Sequence, residues 1–199
     1  MKSPIHPGVY FKDTQDGPWT GLATFFRVVY SSHGMGSGVL VLDQPGLAEG
    51  LPAVHNFCIS DNEGLARFLV DGFFSRFASF RVSPGLAAIS YLSATDVQRV
   101  GDTRSHYQEI VKSDEFEVVM TWSGLGAPYA VDMLAEKGPT KVHQMYSMFI
   151  DAASADVTIN GKPLRGHVVE RDFADTRKST AFLAFSETWI QMPEAGPQA

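Results

Sequence analysis

Cysteine is almost absent from this sequence, and the single thiol limits both compartment and chemistry. Cys58 is the only cysteine among 199 residues, so no disulfide can form within one chain, and we expect a cytoplasmic protein. The apolar and small neighbours of Cys58 in HNFCIS favour a buried packing thiol. As a nucleophile Cys58 would need a base, but His55, three residues earlier in a strand-like run, would face the opposite way.

Long apolar runs and runs of basic residues are absent as well. No window approaches the ~18 consecutive apolar residues of a transmembrane helix, and the first residues lack the apolar stretch of a signal peptide. We therefore expect no membrane insertion. A net charge of −6 without clustered Lys or Arg argues against nucleic acid as a partner.

Several motifs that carry chemistry are missing too. The sequence has neither the G-x-x-x-x-G-K-[ST] phosphate loop nor the G-x-S-x-G nucleophile turn. HGMGSG at 33–38 contains a glycine pair, but it does not begin a helix. The six histidines show no H-x-H or H-x-x-x-H spacing, so we expect no metal, and we expect no bound cofactor.

Most of the sequence has the residue pattern of β-strands. Runs rich in aromatic and β-branched residues recur between short turns, and Asn160-Gly161 is a strong hairpin signal. The expected extended segments are 19–30, 37–45, 53–60, 88–100 (where a helix stays open), 106–122, 127–134, 142–150 and 180–192. The pattern predicts one mainly β domain over 1–199, an antiparallel barrel or sandwich of about nine or ten strands, with 1–18 and 193–199 peripheral.

One segment changes period and predicts a single long amphipathic helix at about 61–80. Ser60 and Glu63 have the spacing of a capping box, and Arg67 and Asp71 have the spacing of an ion pair. Leucines and phenylalanines recur every three or four residues, which gives one apolar stripe. Such a stripe is typical of a helix packed on a core, and a cofactor or membrane surface is the alternative.

Polar residues on apolar strands are the candidate catalytic groups. Glu187 shares a predicted strand row with Leu183, Phe185 and Trp189. Glu109 shares a row with Tyr107 and Val111 in the predicted strand SHYQEIVK. A carboxylate that faces an apolar cavity has a raised pKa and can act as a general acid; an exterior or ion-paired carboxylate is the alternative.

His143 is the candidate proton carrier, because its strand is the most apolar, with a satisfied core histidine as the alternative. Aromatic side chains would line the lumen of a ligand-binding barrel. The candidate ligand contacts are Tyr107, Trp122, Tyr146, Phe185 and Trp189.

The stretch HQMYSMFIDAASADVTINGKPLRGHVVERDF resembles the second half of the lipocalin-like carotenoid 1,2-hydratase (hydroxyneurosporene synthase) family. Tyr146, the step DAASA, the Asn-Gly-Lys turn at 160–162, Gly166 and the charged run 170–173 follow the family's order. The sequence departs from it at Val168-Val169, where a Trp is usual, and at Glu170, where an Asp is usual.

The resemblance implies a calycin-type barrel, an apolar ligand, and a charged run near the barrel mouth. It thereby implies site roles for Glu170, Arg171 and Asp172, the alternative being solvent-screened ion pairs on a loop.

These observations support three functional hypotheses. The first is a cofactor-independent enzyme acting on a small apolar or aromatic metabolite, of hydratase, dehydratase or isomerase type, by general acid–base catalysis in the barrel cavity. His143 would carry the proton, Glu170 or Glu187 would act as acid, and Tyr146 or Arg171 would stabilise negative charge. The second is a non-catalytic protein that binds a small hydrophobic ligand, and the third is a structural barrel. The partners considered are a small apolar molecule and further copies of the chain in a homo-oligomer.

Overall fold

The computed structural model describes residues 1–191, and over this range the protein is mainly β, as expected. The elements of the first half are β1 (Lys2–Ile5), β2 (Gly8–Lys12), β3 (Trp19–Val28), β4 (Gly36–Leu42), β5 (Asn56–Ser60), α1 (Glu63–Gly72), a 3₁₀ turn (Phe74–Arg76), α2 (Ala78–Arg81), a second 3₁₀ turn (Pro84–Ala88), β6 (Ser90–Ser93), β7 (Asp96–Gly101) and β8 (His106–Lys112). Those of the second half are β9 (Glu117–Leu125), β10 (Tyr129–Met133), β11 (His143–Ile159), β12 (Lys162–Pro163), β13 (His167–Val168), β14 (Glu170–Phe173), β15 (Thr176–Ser179) and β16 (Ala181–Gln191).

One large sheet runs in the order β6-β5-β4-β3-β1-β16-β11-β9-β8-β7, and β14 and β15 form a separate hairpin. The pairing is antiparallel except between β5 and β6. The strands β6 and β7 stand at opposite ends of this order, but only Ala94 and Thr95 separate them in the chain. The backbone amides of these two residues bond to opposite ends of the sheet. The Ala94 amide donates to the Ser60 carbonyl at 2.9 Å, and the Thr95 amide donates to the Lys112 carbonyl at 2.8 Å. The sheet is therefore curled into a barrel-like shape.

The curl gives the sheet an inner and an outer face. In β4, Val39 and Val41 point to the inner face, while Leu40 and Leu42 point to the outer face. Strands far apart in the order touch through the inside, where the Trp122 indole donates to the Gly8 carbonyl at 3.1 Å. The inner face is thus a packed core, and the helical segment from 63 to 88 covers part of the outer face.

The prediction of a single helix over 61–80 is wrong. The helix α1 ends at Gly72, and extended backbone at Phe77 (φ −71°, ψ 137°) separates it from α2. The break lets Phe73, Phe74 and Phe80 all be buried. The capping box is also wrong, because Asn62 is the N-cap and accepts from the Leu65 amide at 3.0 Å.

Residues 2–12 are not peripheral, which corrects the expectation for that part of 1–18, whereas 13–18 are mostly exposed. β1 lies between β3 and β16 in the middle of the sheet, and Val9, Tyr10 and Phe11 of β2 are buried. Residues 193–199, also expected to be peripheral, lie outside the described range. From residue 1 to 191, no helix combines the length and the apolar character needed to cross a membrane.

Candidate functional site

A cavity of about 390 Å³ opens on the outer face of the sheet. Its walls come from β16 and β11, from the turn at 77–79, from the loop after β10 and from the β14–β15 hairpin. Most of its lining is apolar and aromatic, including Phe149, Phe182 and Trp189. The site therefore lies outside the curl, and the prediction of a ligand site in a barrel lumen is corrected because the inner face is filled by packed side chains.

A β-bulge in β16 brings Glu187 to this cavity. Tyr146 of β11 pairs with Thr188 and Met148 pairs with Phe185, so β16 contains one extra residue, and Ser186 there has a φ of 53°. Leu183 and Phe185 consequently pack toward the inner face, while Glu187 and Trp189 line the outer cavity. The expectation that these four residues share one row is thus corrected.

Glu187 and His6 form a buried hydrogen-bonded pair. The Glu187 residue is 2% exposed, and its Oε2 lies 3.0 Å from His6 Nδ1, while the Trp189 indole donates to its Oε1. The His6 amide donates to the Ala184 carbonyl at 2.8 Å, which fixes the residue beside β16. Since an ionised carboxylate only accepts hydrogen bonds, the His6 proton is assigned to Nδ1.

The second ring nitrogen of His6 has no partner among the described residues. His6 Nε2 is buried and makes no hydrogen bond, and the ring lies between Phe74 and Phe77, with centroids 5.4 and 6.0 Å away. A buried polar atom without a partner costs about 1–3 kcal/mol in ordinary proteins. In the tautomer that carries its proton on Nδ1, Nε2 keeps its lone pair, and the His6 side chain lines the apolar cavity. A histidine held in this way can act as a general base.

Arg171 enters the same cavity from the β14–β15 hairpin. Its Nε donates to the Ser179 carbonyl at 3.2 Å, and its guanidinium carbon lies 4.3 Å from the Phe182 centroid and 4.8 Å from that of Phe173. Burial lowers the pKa of this guanidinium, and its Nη2 is buried without a hydrogen-bond partner. No carboxylate of residues 1–191 forms a salt bridge with Arg171.

Tyr10 completes the polar groups of the cavity wall. Burial raises the pKa of this phenol to about 12, so the hydroxyl is neutral at ordinary pH. It can donate a hydrogen bond to an oxygen that gains charge.

The charged run at 170–173 divides between two sides of its hairpin. The exposed Glu170 and Asp172 both pair with Arg177 of the facing strand, at 3.4 and 3.2 Å. Arg171, between them, points the other way, as alternation along a strand requires. Solvated ion pairs therefore explain Glu170, the exposed Asp172 pairs with Arg177 at the edge of the cavity, and Arg171 lines the cavity.

The predicted proton carrier, His143, lies beside the cavity but does not line it. Its Nδ1 is 3.1 Å from Thr140 Oγ1, and its ring packs 4.7 Å from Phe73 and 6.3 Å from Trp189. Burial lowers the pKa of this imidazole. These contacts describe a partly buried histidine that is satisfied by packing and by one hydroxyl.

Of the five predicted ligand contacts, only Trp189 lines the cavity. Tyr107, Trp122 and Phe185 pack inside the curl, where the Tyr107 ring lies 6.0 Å from each of the other two. Tyr146 is 44% exposed on the surface of β11. The strand positions of these residues, and not their aromatic character, decide which of them can meet a ligand.

Two further chemistries find no support in the described part of the chain. Cys58 is fully buried, and burial raises the pKa of its thiol to about 12, so it is not a ready nucleophile. Over residues 1–191, no three His, Cys, Asp or Glu side chains are grouped so that they could hold a metal ion.

Sequence reasoning missed His6 and Tyr10. Both lie in the first eighteen residues, which were expected to be peripheral. The signal that could have found them is GVYF at 8–11, a short strand-like run that directly follows His6-Pro7.

No protein-family description matches the chain, and neither the curated proteins nor the solved structures contain a significant match to it. Inferences about its function therefore rest on the geometry of the cavity.

Proposed function

We propose that the protein is a cofactor-independent enzyme that acts on a small apolar or aromatic molecule by general acid–base catalysis, as a hydratase, dehydratase or isomerase. One observation carries the proposal: His6 lines an apolar cavity, its Nδ1 is held by a buried carboxylate, and its Nε2 has no hydrogen-bond partner in the described range. Such a pair needs no metal or organic cofactor to move a proton.

The chemistry follows from the two ring nitrogens. His6 Nε2 accepts a proton from a substrate carbon, and Glu187 stabilises the imidazolium that forms. Return of that proton to another substrate carbon completes an isomerisation. Its transfer to a departing hydroxyl completes a dehydration and releases water, and hydration is the reverse. The neighbouring Tyr10 and Arg171 stabilise the negative charge that develops on the substrate.

The resemblance to the carotenoid 1,2-hydratase family supports the same reaction class. Its residues at 160–173 form a hairpin turn and the charged run, and from that run Arg171 and Asp172 reach the cavity wall. An apolar ligand and the addition of water are what the resemblance implies. We carry both over to this site as part of the proposal.

The test is proton transfer itself, measured without knowing the substrate. The protein is incubated in D₂O with an extract of apolar metabolites, and mass spectrometry detects compounds that gain deuterium or D₂O or lose water. General acid–base groups contribute about 10²–10⁴-fold to rate, so His6→Asn should slow the change at least 100-fold. His167→Asn, the same change at an exposed histidine, is the matched control. Deuterium uptake that is unchanged in H6N would contradict the proposal.

A binding protein for a small hydrophobic ligand is the second candidate, and the aromatic lining of the cavity favours it. Such a protein would retain an apolar molecule from the extract in native mass spectrometry, unchanged in composition. H6N would then keep the ligand, and no compound would gain deuterium through the protein.

A further inference from the structure

We propose that the substrate is a small aromatic or apolar carboxylic acid, bound as its anion through the guanidinium of Arg171. This assignment rests on the proposed function, because it gives the class of substrate on which His6 would act. It follows from the charges of the cavity wall and from the missing hydrogen-bond partner of Arg171 Nη2.

Arg171 differs from the four arginines that approach a carboxylate. Arg67, Arg165 and Arg177 lie on the surface and each pairs with a carboxylate, and Arg27 approaches Glu109 at 3.7 Å. Arg171 is half-buried with its Nη2 enclosed, and its only hydrogen-bond acceptor in the described range is a backbone carbonyl. Asp151 is near enough to favour the charged guanidinium but forms no salt bridge with it, so Nη2 lacks an acceptor that a ligand anion in the cavity would supply.

The charge of the cavity wall indicates a single negative charge on the ligand. The wall carries two cations, Arg171 and the exposed Lys137, and two anions, Glu187 and Asp172. Lys137 is exposed to solvent, and His6 already holds one oxygen of Glu187, so the Arg171 guanidinium is the cation enclosed at the cavity without a carboxylate salt bridge. A phosphate brings about −1.5 to −2 charge and would meet two nearby carboxylates, whereas a carboxylate brings one and matches the planar guanidinium.

The apolar lining and the volume restrict the rest of the molecule. Phe173 and Phe182 flank the guanidinium, and Phe149, Phe77 and Trp189 continue the wall toward His6. About 390 Å³ is near the lower end of the ~300–1,000 Å³ typical of small-molecule pockets. An acid with one or two rings, or a short branched chain, fits this description. Anchoring its carboxylate at Arg171 then decides which carbon faces His6 Nε2.

Calorimetric titration with paired probes tests the assignment. Benzoate, phenylacetate, trans-cinnamate and 2-naphthoate are each compared with their uncharged primary amides. We expect at least one acid to bind ten times or more tighter than its amide. In Arg171→Met that preference should shrink to less than threefold, with folding checked by circular dichroism. Arg177→Met, on the same hairpin but facing solvent, should keep the preference.

Three outcomes would overturn the assignment. These are equal binding within every pair, binding of none of the four acids, and tighter binding of phenyl phosphate than of any carboxylate. Acid preference without proton transfer that depends on His6 would instead overturn the proposed function and leave the anion site standing. Proton transfer that depends on His6 with no acid preference would overturn the anion site alone.

Discussion

Glu109 and Glu187 share burial and an aromatic hydrogen-bond donor, and they differ in their other contacts. Each is almost fully buried on a strand, and each accepts a hydrogen bond from an aromatic side chain two residues away. The Tyr107 hydroxyl donates to Glu109 at 2.7 Å, and the Trp189 indole donates to Glu187. Glu109 lies on the inner face among packed side chains, whereas Glu187 lies on the outer face at a cavity.

The two glutamates differ in the side chain that approaches the carboxyl group besides the aromatic donor: Arg27 at Glu109 and His6 at Glu187. Glu109 Oε2 has no hydrogen bond, and its nearest cation is Arg27 at 3.7 Å; burial raises the pKa of this carboxyl. Glu187 instead meets His6, whose side chain lines the cavity and whose second nitrogen has no hydrogen-bond partner in the described range. Burial of a carboxylate beside an aromatic donor is therefore common to both regions. A proton carrier with room for a substrate is found only at Glu187 in this comparison.

The largest expected effect separates the two glutamates by activity. Glu187→Gln presents an amide to His6, which can hold the imidazole in the wrong tautomer, and we expect proton transfer to fall by about 10²–10⁴-fold. Glu109→Gln should stay within threefold of the unsubstituted protein, because Glu109 does not line the cavity. Rates of deuterium uptake for the two variants measure this difference, and equal losses would break the comparison.

A smaller effect concerns stability on the inner face. Tyr107→Phe removes the donor to Glu109 and leaves a second carboxyl oxygen of that residue without a hydrogen bond. We expect the free energy of unfolding to fall by about 1–3 kcal/mol, measured by urea denaturation. Deuterium uptake should not change. A variant as stable as the parent would show that this hydrogen bond contributes nothing.

The smallest effect is a pH dependence, and its sign follows from the raised pKa of Glu109. Above the ordinary value of 4.5, the folded state holds a proton on Glu109 that the unfolded state has released. This contribution to stability is complete below 4.5 and is lost as pH rises through the folded-state pKa.

The Glu109→Gln variant carries an uncharged amide at this position, and this amide does not titrate between pH 4 and 8. Its stability relative to the parent should therefore increase with pH above about 4.5 and then level off. Urea denaturation of both proteins between pH 4 and 8 measures the difference. A difference that is constant across this range would show that Glu109 does not titrate there.

The strands were largely predictable because alternation and turn residues are local signals. Asn160 and Gly161 form the expected turn, both with positive φ (49° and 76°), between strands that pair as a hairpin. The single helix was not predictable from its stripe. The apolar stripe indicates which phenylalanines are buried. It does not show that the backbone becomes extended at Phe77, which lets these side chains pack against the sheet.

The site was predictable only in part, since it depends on long-range features. Glu187 and Trp189 could be singled out as a polar and an aromatic residue on an apolar strand, and Arg171 through the charged run and the resemblance that it carries. The bulge at Ser186 changes which face Glu187 occupies, and alternation cannot show a bulge. His6 lies in the connection between β1 and β2, 181 residues away from Glu187 in sequence, so no local pattern joins them.

The central claim is that His6 and Glu187 act as one unit, and the rate of proton transfer in the double variant tests it most directly. Deuterium uptake is compared for the parent, Glu187→Gln, His6→Asn and the two changes combined. If Glu187 acts only through His6, the double variant should be no slower than His6→Asn alone. If the two losses multiply instead, the residues act independently, and the His6–Glu187 pair is not the unit that we propose.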